Sequence, residues 1–479
     1  MKSVSSTSRT RRPAAATSRL RSSRSRPALV VVAILFLALP PKLFSDPLPL
    51  STAFWHDPAF LRSFNGSYRI NARIEPALTS AERGALVEVQ KLMAAGKRKE
   101  AAKFLQSNKL TKNSPALRFN LGNILFELDQ PENAAAEFQT AVNAYPAFRR
   151  AHRNLALALV RLDKPADALP HLLDALRLGD SDPLTWGLLG WCRLQNNNWA
   201  SALQAYRMAR TLDPHTPEWM AGMAECLSNL ERNPEALGLL DEAVRQRPDN
   251  SSFALLRVHV LLGLGRATDA AAALDFLRRL DRLSPDNLLL LATLHLRANR
   301  LPLAADCIDA AFSKKSTPTP DRLAETFRES IDRNAWPLAR KLESAILNLQ
   351  KQSPPAKLPP DFPLLRARLA IESGTNPARG ESILRHILES DPLNAPAAFA
   401  LARHYAATNR PDQAELIFQR TTRNPTLARP AWIEIARLRT SRHLYPEALA
   451  AANKALEISP SPDLLKLRNS LSRLAKPTN

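Results

Sequence analysis

Histidine, cysteine and paired carboxylates are the side chains that could carry catalysis or hold a metal, so their spacing bears first on chemistry. The nine histidines contain no HExxH pair and no close ligand spacing, the arrangement that sets two zinc ligands on one helical face. His152, His171 and His259 fall within helical patterns and read as partly exposed helix residues. Cys192, Cys226 and Cys307 form an odd set without short spacing, hence neither a disulfide framework nor a zinc site. Each lies in an apolar pattern, where a free thiol acts as a small hydrophobe. No GxxxxGK[ST] loop is present to cradle phosphate, and Gly263-Leu264-Gly265 lies at a helix–helix turn with no strand before it. A transferase or hydrolase centre would have to sit in the weakly patterned stretch 320–360, whose Glu325, Glu329, Asp332 and Glu343 are scattered. The expectation is a chain with no catalytic residues, no cofactor and no metal.

The elements that must position any binding residues are set by a period. Ala134, Ala168, Ala202, Ala236, Ala270 and Ala304 recur every 34 residues, as do Phe138, Leu172, Tyr206, Leu240, Leu274 and Ile308. Ala141, Ala175, Ala209 and Ala243 make a third series, which Leu277 interrupts and Ala311 resumes. Upstream, Leu121, Leu155, Leu189, Met223 and Leu291 share the phase, and Gly122, Ala156, Gly190, Ala224, Val258 and Ala292 come one position later. Apolar residues at i, i+3/i+4 and i+7 make one helical face, so each unit predicts two amphipathic helices. Small residues such as Gly122 and Ala134 admit close helix approach, while Phe138 wedges between neighbours. The 38 prolines must fall between helices, as Pro146, Pro214 and Pro248 do, where the missing donor costs little. A single hairpin cannot bury its own apolar face, so stability has to come from stacking.

This pattern resembles the tetratricopeptide repeat, most fully in Trp186, Leu189, Gly190, Ala202, Tyr206, Ala209 and Pro214. The resemblance implies an all-α, right-handed α-α superhelical solenoid. About eleven helix pairs are expected, starting near 82, 115, 149, 183, 217, 251, 285, 320, 361, 395 and 429. Ala101 and Leu105 support the first pair, Ala339 and Ile346 the degenerate pair at 320–353, and Tyr405, Ala414, Phe418, Trp432, Ala436 and Ala448 the last ones. Residues 277–285 depart from the pattern, and 463–475 read as a capping helix. The resemblance also implies that consecutive first helices line a concave groove for a protein or peptide. Its groove positions fall on Phe119, Asn123, Arg150, Arg153, Asn154, Leu157, Trp191 and Glu225, and the same phase adds Leu255, His259, Leu289 and Thr293. Arg150 and Arg153 would meet a carboxylate with paired donors, and Phe119 and Trp191 would anchor apolar side chains. Packing against the neighbouring helix is the competing role for each. A two-carboxylate clamp of the chaperone-tail-binding kind is rejected. Asn123 and Asn154 stand at two of its positions, but Phe119 replaces its lysine, and Leu184 and Leu188 its basic pair.

The first residues read as an address. Residues 1–27 hold eight basic side chains and no acid, so the other 452 residues carry 58 basic and 45 acidic groups. That residual excess is spread along a long array without any nucleic-acid-reading module, so no nucleic-acid partner is expected. Residues 28–39 are twelve apolar residues, succeeded by Pro40, Pro41 and Lys42, the form of a secretory signal or signal anchor. Twelve residues rise about 18 Å as helix against a hydrocarbon core of roughly 30 Å. Ser51-Thr52-Ala53 is a small-x-small cleavage candidate. With or without cleavage, the chain beyond residue 45 is expected to cross the membrane.

The order of segments is similar to Gram-negative envelope proteins described as components of the TonB energy-transduction system. The matching stretches are Phe64-Asn65-Gly66-Ser67-Tyr68, Ile74-Glu75-Pro76, Leu121-Gly122-Asn123, Ala151-His152-Arg153-Asn154-Leu155 and Leu188-Leu189-Gly190-Trp191-Cys192. This likeness implies a periplasm-facing accessory in the cell envelope with partners of the ExbB/ExbD/TonB type. An adaptor for other envelope or exported proteins is the alternative. The expected layout is 1–45 signal or anchor, 46–81 an aromatic-rich segment packing on the end of the array, 82–353 a first block, 354–360 a proline-rich linker and 361–475 a second block.

Overall fold

Proline decides where the helices begin. In the computed structural model, residues 75–352 and 360–475 are described, together with Trp55, Asp57, Pro58 and Phe60. Residues 1–45, most of 46–74 and the linker at 354–359 lie outside them. Pro115, Pro131, Pro165, Pro183, Pro217, Pro285, Pro320, Pro377, Pro411 and Pro462 are each the first residue of a helix. At that position the absent N–H would have had no partner anyway and the fixed φ suits the helix. The first block is α1 (Ser80–Ala94), α2 (Arg98–Ser107), α3 (Pro115–Glu127), α4 (Pro131–Ala144), α5 (Arg149–Arg161), α6 (Pro165–Arg177), α7 (Pro183–Gln195) and α8 (Trp199–Leu212). It continues with α9 (Pro217–Asn229), α10 (Asn233–Gln246), α11 (Ser251–Gly263), α12 (Ala267–Arg279), α13 (Pro285–Arg297), α14 (Leu301–Ser313), α15 (Pro320–Asp332) and α16 (Trp336–Gln352). The second block is α17 (Phe362–Glu372), α18 (Pro377–Ser390), α19 (Ala395–Ala407), α20 (Pro411–Thr421), α21 (Ala428–Ser441), α22 (Tyr445–Ile458) and the single closing helix α23 (Pro462–Leu474). These 23 helices, with no strand among the described residues, give eleven hairpins and a cap.

Local chemistry starts and turns the hairpins. Thr79 and Glu82 form the expected capping box: Glu82 N–H donates to Thr79 Oγ1 at 3.2 Å and Thr79 N–H to Glu82 Oε2 at 2.7 Å. Within hairpins the turn residue is left-handed: Asp129, Asp163, Asn197, Glu231, Gly265 and Asn299 have φ of 55–71° and recur every 34 residues. The next N–H reaches back five residues, Gln130 to the Leu125 carbonyl at 3.0 Å and Lys164 to Leu159 at 2.9 Å, which closes the helix end in a Schellman turn. In residues 277–285 Asp281, at φ 55°, makes a second such turn, as Gly179 does at φ 89° after α6, where Pro146, Pro214 and Pro248 close other units. Gly374, also left-handed, sets the register of the α17–α18 hairpin one residue earlier than 361.

Packing comes from small-against-large pairs. A Cβ on Gly122 would lie 2.6 Å from the Phe138 ring. The buried Tyr206 ring is held from both sides: a Cβ on Gly190 would approach it to 2.9 Å, and one on Gly222, in the next hairpin, to 2.4 Å. Tyr206 therefore wedges within its own hairpin and against its successor at once. Successive helices pack along the array, and first helices of successive hairpins also touch. At one point this changes: α15 lies directly on α13, with Thr293 Oγ1 3.2 Å from Thr326 Oγ1 and both side chains fully buried. The second block has its own core, with Leu384, Leu401, Tyr405, Phe418, Ile435 and Leu471 buried together. No helix among the described residues is long and apolar enough to cross a membrane.

Two outcomes test this packing by urea unfolding monitored by circular dichroism. Gly222→Ala should lose about 1–3 kcal/mol, the usual penalty of over-packing, whereas Gly238→Ala, with nothing within 4 Å of the added carbon, should lose nothing. Glu231→Gly should gain about 0.5–1 kcal/mol by relieving the left-handed conformation of a residue with a Cβ.

Candidate peptide-binding groove

The first helices bring the expected residues onto one face, but most are less open than their spacing suggested. Phe119 is fully buried, its ring 4.9 Å from Phe148 and 5.7 Å from Phe138, with the Arg150 guanidinium 5.0 Å above it. Asn154 Nδ2 donates to Asn123 Oδ1 at 2.9 Å, a buried bond that fastens α5 to α3. Leu157 is fully buried and Trp191 is 2% exposed, its indole N–H without a partner. Arg153 is held by Asp182 at 2.5 Å. Leu289 and Thr293 are buried because α15 covers them. Phe119, Asn123, Asn154, Leu157, Trp191, Leu289 and Thr293 therefore join helices to one another, and the expectation that they stand exposed is corrected. Leu255, His259 and Glu225 remain half-buried. Burial lowers the His259 pKa and pushes the Glu225 carboxyl up to about 7.

The chain's own residues occupy part of this face. Trp55 packs edge-on to Phe126 at 5.8 Å and to Phe60 at 5.8 Å, and the Arg161 guanidinium lies 5.5 Å from the Trp55 ring and 5.0 Å from Phe126. Glu75 is 1% exposed and stands 3.8 Å from Arg150; burial raises its pKa and outweighs the lowering by Arg150. Trp55 thus meets the second and third hairpins through Phe126 and Arg161, while Phe54, Phe64 and Tyr68 lie outside the described residues. The reason is geometric: Phe126 and Arg161 close the first-helix face of α3 and α5 and offer it an aromatic edge and a cation.

The second block holds an open cleft of about 550 Å³ between α17 and α19. Leu364, Ile371, Pro396, Phe399 and Ala400 give it apolar walls, and Arg368, Glu372, Arg403 and His404 give it a polar rim. Phe399 rests on Phe418 at 5.5 Å. Arg368 is neutralised by Glu372 and Asp332, both at 2.9 Å. His404 is buried against Glu381 at 3.3 Å, whose carboxyl Arg410 holds down at about 2. Arg403 is exposed and has no ion-pair partner among the described residues. The cleft is thus apolar with one uncompensated cation. Sequence reasoning missed it, although its signal is present: Phe399 and Arg403 hold the repeat positions of Phe119 and Asn123.

The four acids named in 320–360 are each held by an arginine, and Glu325 and Glu329 share Arg297. Glu325 pairs with Arg322 at 2.5 Å, Glu329 with Arg297 at 2.9 Å, Asp332 with Arg368 and Glu343 with Arg366 at 2.7 Å. The three cysteines are free and buried, and burial pushes Cys192 up to about 12 and Cys307 up to about 11.

Stacked all-α hairpins define the class, an α-helical repeat solenoid. Family models of the tetratricopeptide repeat match residues 119–183, 153–217 and 255–316 in one form and 193–258 and 370–432 in another, together more than half of the chain. The chain belongs to the tetratricopeptide-repeat family, whose members act as protein-interaction scaffolds and bind protein or peptide partners. Among solved structures it is similar to YrrB, a tetratricopeptide-repeat protein with an unusual peptide-binding site, at 21% identity over 35% of this chain and 88% of that one, TM-score 0.34. A tetratricopeptide repeat protein from Parabacteroides merdae is 16% identical over 51% of this chain and 98% of its own, TM-score 0.39. Pseudomonas aeruginosa pilF is 17% identical over 41% and 88%, TM-score 0.35. No curated protein matches the sequence.

Glu225 supplies a pH test of the first block. Its carboxyl titrates near 4.5 in the unfolded chain and at about 7 in the fold, so the fold retains the proton longer. Stability from this group is greatest below its unfolded value and falls as pH rises through 7. Glu225→Gln should therefore gain about 2 kcal/mol over the parent at about pH 8 and nothing at about pH 4, after allowance for residual solvent contact. Equal differences at the two pH values would exclude this origin.

Proposed function

We propose that the protein is a non-catalytic scaffold of the cell envelope that holds an acidic, apolar peptide segment of a partner in the cleft between α17 and α19. The observation that carries this reading is Arg403, an exposed, uncompensated cation on the rim of an apolar cleft. A carboxylate there gains a charge-assisted bond, and Phe399, Ile371 and Leu364 take the flanking apolar side chains. The first-block face is a poorer receptor, since Trp55, Phe60 and Glu75 already lie against it. The basic, apolar residues 1–45 and the motifs around Phe64, Glu75, Asn123 and His152 support a periplasm-facing location beside a TonB-type motor, with ExbB/ExbD/TonB-type subunits as first candidate partners. An adaptor for other envelope or exported proteins is the second reading.

A photoreactive amino acid placed at Phe399 tests it. Crosslinking in cells should give adducts on a membrane-motor subunit, and Arg403→Glu should reduce them about tenfold or more, the equivalent of one charge-assisted bond. Adducts on exported proteins with the same Arg403 dependence would replace the motor by the second reading. Adducts indifferent to Arg403→Glu, or a chain that fractionates wholly with the cytosol, would overturn the proposal.

A further inference from the structure

The hairpin α5–α6 brings together three side chains that the groove does not use. His152, near the start of α5, is 5% exposed; His171 and Asp174 lie one turn apart on α6 and are half-buried. His152 Nδ1 is 3.2 Å from His171 Nδ1 and 4.0 Å from Asp174 Oδ2, and the three candidate ligand atoms all lie within 4.8 Å of one another. We propose that His152, His171 and Asp174 bind one divalent transition-metal ion of the zinc class.

Hydrogen bonding sets the donor atoms for this role. His152 Nε2 faces the Pro146 carbonyl at 3.0 Å, and a carbonyl can only accept, so the ring proton sits on Nε2. Nδ1 then presents a lone pair toward His171, the outer-shell arrangement that orients ligating histidines. Asp174 divides its carboxylate in a similar way: Oδ1 takes Arg177 at 3.0 Å, leaving Oδ2 on the histidine side. Without metal, a proton on His171 Nδ1 bridges the two rings. A cation takes its place as His171 changes tautomer, its Nδ1 proton exchanging through solvent for one on Nε2, so each ring ligates as a neutral imidazole with no net proton released. Tetrahedral zinc needs ligands at about 2.0–2.2 Å, which a small rotation of the half-exposed Asp174 side chain supplies. Two imidazoles and one carboxylate suit zinc, copper and nickel and are a poor set for magnesium or calcium. Three protein ligands leave a fourth position toward the exposed side of α6, open to water or to a donor from another molecule. Bound metal would tie α5 to α6 in the hairpin that also carries Arg150 and Arg153.

The test uses the full chain, purified without a histidine tag and stripped with chelator, and titrated with Co²⁺ and with Zn²⁺. One equivalent of Co²⁺ should give the strong visible absorption of four-coordination, and Zn²⁺ should displace it and raise the melting temperature. His171→Gln and Asp174→Asn, both at half-exposed positions, should keep the circular dichroism of the parent and weaken Co²⁺ binding about tenfold or more. His386→Gln, far along the sequence in α18, should bind as the parent does. Absence of a visible band in the parent, a melting temperature indifferent to Zn²⁺, or undiminished binding by His171→Gln and Asp174→Asn would each overturn the proposal.

Discussion

Everything in this molecule depends on a large side chain seated against a missing one. Tyr206 fills the space that Gly190 and Gly222 leave in two successive hairpins, and Phe138 does the same over Gly122. Such a contact fixes both the separation of the paired helices and the angle at which the next pair is laid down, because close-packed interiors do not yield gradually. Alanine and glycine therefore recur at fixed distances, and their recurrence makes hairpins too small to be stable alone into a continuous array.

The same close approach decides which stretches of the first-helix face stay open. Where neighbouring first helices touch, polar side chains serve as fasteners: Asn123 and Asn154 join α3 to α5, and Thr293 and Thr326 join α13 to α15. Between α17 and α19 the facing side chains include Phe399, Arg368, Glu372 and Arg403, of which Arg403 alone lacks an ion-pair partner among the described residues. There the side chains leave a cleft. A binding surface in this architecture is a local lapse in an otherwise sealed seam.

The period, the hairpin count and the closing helix were legible from the alanines and from Phe138, Tyr206 and Phe418, because packing admits few alternatives at those positions. The prolines and the Thr79 cap were legible for a similar reason, each answering a local backbone need. The state of the face was not legible. Phase tells which side a residue takes but not what covers it: Phe119 and Phe399 hold equivalent positions, yet one lies beneath Phe148 and Arg150 and the other borders the cleft. The meeting of Trp55 with Phe126 joins residues far apart in sequence that no repeat relates, and the nearness of His152 to His171 needed the tilt of α5 on α6. The left-handed positions from Asp129 to Asn299 were readable in principle, as an Asn, Asp or Gly signal at constant phase, with Glu231 masking it.

Contacts that run mainly from each helix to its immediate successors have a mechanical consequence. Hairpins joined in series share a pull end to end, so each interface carries the whole load while giving only a fraction of the total extension. The junction between α14 and α15 carries that load by another route, since there the usual successor contact is replaced by α13 against α15. Tension there would pass from first helix to first helix, leaving α14 largely outside the load path between its hairpin and the next.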